Sequence, residues 1–144
     1  MTLWKYSLAV LLLTCMVGQT AAKSIQVPHL YMFGFSASFK DSVVYVTDIQ
    51  DMKGVWIDNK TKFLLSRENY SHQLTDYLAN QQQQPNRICM VFYAKTFKKA
   101  EKLFVKLKKK YIGTKKNPAH YDMRFISQQE FRFETIDMSP EQQE

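Results

Sequence analysis

Cysteine, histidine and glycine are scarce in this chain, which has two cysteines, three histidines and four glycines among 144 residues. Motifs that depend on them are missing: there is no glycine-rich phosphate loop, no G-x-S-x-G and no His, Cys, Asp or Glu group with metal-ligand spacing. His72 and Asp76 stand four residues apart on a predicted helix, which is ordinary for a helix surface. The sequence therefore predicts no cofactor and favours a non-enzymatic protein. A cryptic hydrolase with a polar pocket near His72 or His120 is an alternative.

Long apolar runs are also missing, apart from one near the N-terminus. About eleven largely apolar residues, 7–17, follow a single basic residue and precede small side chains. A membrane-spanning helix needs roughly twenty apolar residues, so this layout predicts a secretory signal peptide, residues 1–22, cleaved after Ala22. A lipoprotein signal that ends at Cys15 is the alternative. We therefore expect a protein of the bacterial cell envelope, periplasmic or secreted, without a transmembrane helix in the mature chain.

Removal of the signal peptide leaves Cys89 as the single cysteine. An exported domain with one cysteine has no internal disulfide, so a hydrophobic core must stabilise it. Cys89 lies in the apolar run 88–92, where we expect a buried, unreactive thiol. A reactive or intermolecularly paired thiol is the alternative.

Hydrophobic periodicity predicts one α+β domain over residues 30–137, between an extended, loosely ordered lead-in at 23–29 and a polar tail at 138–144. The predicted order is β-β-(β)-α-β-α-β-β, in a largely antiparallel sheet with both helices on one face. The predicted strands are 30–39 and 43–49 as a hairpin, 55–57, 87–94 as a central strand, 121–125 and 131–135; the predicted helices are 68–82 and 97–111. If strands 87–94 and 121–125 are parallel, the crossover should be right-handed.

Aromatic side chains alternate along the first predicted strand, at Tyr31, Phe33, Phe35 and Phe39. This stripe is expected to lie under the two helices, with a carbohydrate-stacking or partner-binding face as the alternative. Trp56 falls outside any clear periodicity and is the best single candidate for an exposed aromatic contact.

Acidic residues are nearly absent from residues 95–116, which contain ten lysines and Glu101, whereas the whole chain has a net charge of +7. The predicted helix 97–111 places six of these lysines opposite its apolar face, along about 15–20 Å at 1.5 Å per residue. We call these six the lysine ridge: Lys98, Lys99, Lys102, Lys106, Lys109 and Lys110.

The lysine ridge predicts binding to an anionic surface such as phospholipid, lipopolysaccharide or peptidoglycan. A solvated helix face is the simpler alternative, and a specific acidic protein partner is a third. Lysine without arginine indicates diffuse attraction rather than bidentate recognition. Export, together with aromatic residues committed to the core, argues against nucleic acid.

Residues 87–126 resemble half of a SPOR domain, the small peptidoglycan-binding module of bacterial envelopes. The resemblance rests on a strand, a capped helix and a second strand, carried by Val91-Phe92-Tyr93, Thr96, Ala100, Leu103, Leu107 and Tyr121–Ile126. It covers about a third of the mature chain, and Ala94 stands where the family tends to have glycine. It implies an envelope location and peptidoglycan as a ligand class, and no binding residue is carried over from it. The whole chain also resembles small exported bacterial proteins.

Together these features predict a non-enzymatic exported envelope protein, a binding or structural module that contacts an anionic surface through the lysine ridge. The alternative is a protein–protein assembly module that uses an open strand edge or Trp56.

Overall fold

The computed structural model describes residues 23–142, so the predicted signal peptide, its alternative at Cys15 and the end of the tail lie outside the described residues. The described chain is an α+β single domain. Its strands are β1 Ser24–Val27, β2 Leu30–Ala37, β3 Val43–Thr47, β4 Gln50–Met52, β5 Val55–Asp58, β6 Ile88–Ala94 and β7 Asp122–Ile126; its helices are α1 Arg67–Gln81, α2 Phe97–Ile112 and a short 3-10 turn Pro140–Gln142. A chain that begins at Lys23 contains every described element, and we expect it to fold by itself.

The five-stranded sheet is built around β2. On one side β6 pairs antiparallel with β2 from Tyr31 to Ala37. On the other side β3 and β4, separated by a short break at residues 48–49, both pair antiparallel with β2, which confirms the predicted hairpin. Since β7 pairs parallel with β3, β6 and β7 point the same way. The segment from β6 through α2 to β7 is therefore a strand–helix–strand crossover.

Both faces of β2 are buried, and each is covered by a different helix. A Cβ added at Gly34 would lie 2.6 Å from Cδ2 of Leu74 in α1. The neighbouring Phe33 contacts Phe104 of α2 edge-on, with ring centroids 5.3 Å apart. Neighbouring residues of a strand point to opposite faces, so α1 and α2 lie on opposite sides of the sheet. The α+β class is confirmed, and the prediction that both helices share one face is wrong.

The aromatic stripe of β2 lies under α2 alone. Tyr31 contacts Phe97 and Phe35 contacts Tyr111, with ring centroids 5.8 Å and 4.7 Å apart. Phe39 does not belong to this layer, because β2 ends at residue 37 and the alternation ends with it. Its side chain lies in the β2–β3 turn and is 95% exposed.

The face that α1 covers carries the larger core. Tyr70, Leu74 and Leu78 of α1 are buried there, as the helical periodicity predicts. β1 and β5 form a two-stranded antiparallel sheet on the same side, and Val55 of β5 is fully buried in this core. The lead-in predicted to be loosely ordered therefore contains a strand with a partner.

β6 is an edge strand rather than the predicted central strand. Among the described strands it pairs only with β2. Ile88 and Met90, on the α2 side, are exposed, whereas Val91 on the opposite face is buried. Cys89 is half-buried beside the core, so its thiol is less enclosed than the apolar run predicts.

The chain after β7 makes a turn at residues 128–130, and residues 131–139 do not form the predicted last strand. Phe131 and Phe133 are buried, as their alternation predicts. The buried amide of Gln50 donates to the Phe131 oxygen at 3.0 Å and accepts the Phe133 N–H at 2.8 Å. Gln73 of α1 holds Glu134 in the same way, at 2.9 Å and 2.8 Å. Two side-chain amides thus make the hydrogen bonds to the main chain that a neighbouring strand would otherwise make.

We expect Gln50→Leu to lower the free energy of unfolding by about 2–4 kcal/mol. The substitution keeps the volume but leaves two main-chain groups without a partner in the core, each worth roughly 1–3 kcal/mol. The matched control Gln73→Leu removes the same pair of bonds at a more exposed place and should cost about 1 kcal/mol. Urea unfolding measures both costs, and amide exchange at Phe133 should accelerate in the first variant only. Equal losses in the two variants would contradict the role given to Gln50.

Candidate functional site

The lysine ridge lies on α2, which has a cap at each end. At the start, the Thr96 Oγ1 accepts a hydrogen bond from the Lys99 N–H at 3.3 Å, the usual N-cap arrangement. At the end, Gly113 adopts a φ of 78° and donates its N–H to the Lys109 oxygen at 3.0 Å. A positive φ favours glycine, so the helix stops here and the ridge has a defined length.

The apolar face of α2 that packs on the sheet is narrower than the sequence pattern predicts. Ala100 is fully buried, and Leu107 and Tyr111 are half-buried beside it. Phe97 and Leu103 also fall on the apolar face in the helical pattern of the sequence, but they are 50% and 39% exposed at its two margins. A large part of the helix circumference therefore faces solvent.

All six lysines of the ridge are exposed, and none of them takes part in an ion pair among residues 23–142. Lys98, Lys102 and Lys106 occupy successive i,i+4 positions, where like charges repel. Lys110 lies over the ring of Tyr111, with 5.8 Å between Nζ and the ring centroid, a cation–π distance. The other five lysines have no such contact in the described structure, so the ridge presents its charge to solvent.

The charged residues are distributed unequally between the two sides of the sheet. α2 carries seven lysines and one acid. On the other side, α1 and the chain at residues 127–137 together carry five acids and two arginines. Because α1 and α2 cover opposite faces, the domain has one strongly basic side around α2, whereas acids and bases occur together on the other side, where Lys53 and Lys60 flank β5. Such a distribution orients a protein in the field of a charged surface.

Trp56 and the lysine ridge do not form one surface. Trp56 lies on β5, opposite Gln26 of β1, and is half-buried. Since the β1–β5 sheet packs on the α1 side, the two contact features predicted from sequence lie on different layers of the fold.

The structure contains one histidine–carboxylate pair that the sequence analysis did not predict. His29 Nδ1 lies 2.8 Å from Asp51 Oδ1, and both side chains are at the surface. The pair follows from the β2–β4 register, in which Tyr31 is opposite Asp51. Because His29 and Asp51 are 22 positions apart, no local sequence pattern predicts their contact. In the described residues no Ser or Cys side chain bonds to His29, and His72 and Asp76 do not bond to each other. The pair therefore lacks a positioned nucleophile.

His120 lies in an open surface groove rather than an enclosed pocket. The groove has a volume of about 600 Å³ and is also lined by Phe39, Asp41 and Tyr121. Within residues 23–142 no three His, Cys, Asp or Glu side chains converge as metal ligands. No helix in the same range is long and apolar enough to cross a bilayer.

A buried arginine joins the loops at the start of β3 and β6. Arg87 is only 6% exposed, and its Nη1 lies 3.1 Å from Asp41 Oδ2. It also donates to the Val43 oxygen, and its guanidinium lies 4.9 Å from the Tyr45 ring centroid. The hydrogen bond from Arg87, with a second from the Val43 N–H, lowers the pKa of Asp41 below its usual 3.8. This contact orders the end of the sheet next to the C-terminus of α2.

Comparison with protein-family models, curated proteins and solved structures finds no match to this chain. The resemblance of residues 87–126 to a SPOR half-domain therefore stays a prediction. So does the export predicted from residues 1–22.

We expect stability to fall in acid partly through Asp41. A carboxyl whose pKa is lowered by folding stabilises the native state above its unfolded pKa, and this contribution disappears as the pH falls through the lower folded value. Asp41→Asn should therefore destabilise the protein at neutral pH and make its stability less dependent on pH below about 4. Urea unfolding between about pH 2 and pH 7 measures this, with Asp76→Asn as an exposed control. A wild-type pH dependence in Asp41→Asn would contradict the assignment.

Proposed function

We propose that this protein is a non-enzymatic, exported envelope module, periplasmic or secreted, that binds an anionic surface through the lysine ridge. The single observation that supports it is the separation of charge across the sheet. Six exposed lysines and one acid, Glu101, lie on the outer face of α2, whereas five acids lie on α1 and at residues 127–137 on the other side of the sheet. A solvated helix needs polar residues on its outer face, but it does not need them to share one sign.

The chemistry of the ridge favours diffuse attraction to many phosphates or carboxylates. A lysine ammonium is a compact charge without the planar fork with which arginine binds one anion in a fixed geometry. Each lysine close to an anionic bilayer contributes about 1 kcal/mol, and the attraction weakens with salt. Phospholipid, lipopolysaccharide and peptidoglycan share the required chemistry, so an experiment must distinguish them.

Assembly through the edge of β6 is the second candidate function. Ile88 and Met90 are exposed on an edge strand that contains no charged residue or proline, a combination that favours pairing with another chain. However, the Val91 oxygen at the middle of β6 already accepts a hydrogen bond from Arg67 at 2.7 Å. This contact interferes with a continuous set of hydrogen bonds to a partner strand, so we favour the lysine ridge.

We expect the chain from Lys23 to co-sediment with anionic vesicles or with peptidoglycan sacculi at about 150 mM salt, where the Debye length is about 8 Å. Changing Lys99, Lys102 and Lys106 to Glu should weaken binding at least about 100-fold, because three attractions become repulsions. The control changes Lys53, Lys60 and Arg132 to Glu, which alters the net charge equally at exposed positions outside α2. Separate sedimentation with vesicles and with sacculi identifies the class of surface.

Equal binding by the two charge-reversed variants would show that only net charge matters and would overturn the role of the ridge. Failure of the wild type to sediment with either material would leave the ridge as a solvated face. Size-exclusion chromatography of the same samples tests the assembly candidate, which requires a stable oligomer that Met90→Lys disrupts.

A further inference from the structure

Three loops meet at one end of the five-stranded sheet. β2 ends there, whereas β3, β6 and β7 begin there. The three loops are therefore the β2–β3 turn at 38–42, the α1–β6 loop at 82–87 and the α2–β7 segment at 113–121. We call this region the loop end.

Two aromatic side chains of the loop end are exposed to solvent, and packing or hydrogen bonds hold the segments that carry them. Phe39 is 95% exposed and Tyr121 is 50% exposed, and both line the open groove beside His120. Tyr121 packs edge-on against Tyr111 at 5.0 Å, and Tyr111 is itself packed on the sheet. The turn that carries Phe39 is held by side-chain oxygens that accept main-chain N–H groups, at 3.1 Å from Ser38 and 3.0 Å from Asp41. Neither ring belongs to the buried core.

The loop end is basic because its acids are neutralised. Asp41 pairs with Arg87 at 3.1 Å, and Asp122 at the start of β7 pairs with Arg124 at 3.0 Å. No other acid occurs in the three loops. The lysines of the loops have no ion pair among residues 23–142, and the C-terminal end of the ridge lies beside them. The unpaired lysines of the loops are Lys40, Lys115 and Lys116.

From this arrangement we infer that the loop end docks on an anionic phospholipid bilayer, with Phe39 and Tyr121 inserted among the headgroups. Lys40, Lys115 and Lys116 would contact lipid phosphates, because a lysine ammonium can stay in the headgroup layer while its methylene stem lies deeper. An apolar insertion combined with a basic patch is what stable peripheral binding requires.

The exposed rings favour a lipid layer over peptidoglycan as the anionic surface. A hydrated polymer such as peptidoglycan has no apolar layer, so it offers an exposed phenyl ring only stacking on a sugar at its surface and no apolar interior to enter. A bilayer removes that ring from water, and aromatic rings favour the interface. This inference names the bilayer as the surface in the proposed function. It rests on that function for the contribution of the lysine ridge, which lies beside the loop end.

The test uses the chain from Lys23 and vesicles of phosphatidylcholine with or without about one-third phosphatidylglycerol. The double variant Phe39→Ser, Tyr121→Ser should lose roughly tenfold or more in binding to the anionic vesicles. The control is Phe63→Ser, because Phe63 is also an exposed aromatic ring, 67% exposed, and lies in the loop between β5 and α1, away from the loop end. Circular dichroism checks that each variant is folded.

A second pair of variants reports insertion without removing any apolar surface. The emission of Phe39→Trp should shift to the blue when anionic vesicles are added, relative to the emission from the native Trp56. The matched Phe63→Trp should show no shift. A shift in both variants, or in neither, would overturn insertion through the loop end.

The outcomes separate this inference from the proposed function. Loss of vesicle binding in the ridge variant, with normal binding by the double serine variant and no blue shift, leaves the ridge proposal standing and overturns insertion. Loss in the serine variant with normal binding by the ridge variant supports insertion and overturns the ridge. Binding to sacculi alone, with none to vesicles, also overturns insertion.

Discussion

The rest of the structure depends on the burial of both faces of β2. Its odd-numbered residues pack against α2, and its even-numbered residues pack against α1 and the chain after β7. A strand that is apolar on both faces cannot leave one face in water, so each helix must cover a different side. The close contact at Gly34 shows how tightly one side is filled, since an added Cβ would lie 2.6 Å from Leu74.

The candidate site is a consequence of this packing. Because α2 forms one outer layer alone, its polar face becomes one whole side of the domain, and the exposed lysines lie together on it. The acids of α1 and of the chain after β7 are separated from them by the thickness of the sheet. At the loop end, Arg87 and Arg124 pair with Asp41 and Asp122, and exposed lysines of the loops continue the basic side from α2 to the neighbourhood of Phe39. The fold thus places the exposed ring of Phe39 next to the basic side of the domain.

Sequence patterns predicted the elements better than their arrangement. Both helices, the first hairpin and the buried stripe of α1 were predicted because each depends on residues a few positions apart. The last strand was predicted wrongly, since Phe131 and Phe133 alternate like a strand but are held by the amide of Gln50, some 80 positions earlier. An apolar run such as Ile88–Ala94 also does not reveal whether a strand is central or at an edge.

The sequence by itself determined that α2 is a capped, amphipathic helix with a lysine ridge, because capping and helical periodicity are local properties. It also determined which residues are apolar enough to form a core. Only the tertiary structure decided that the helices lie on opposite faces, that Asp41 is paired with Arg87 and that Phe39 projects beyond the sheet. These features depend on strand register and on contacts between residues that are far apart in the sequence. The free energy gained by burying such residues depends on how all the elements pack together.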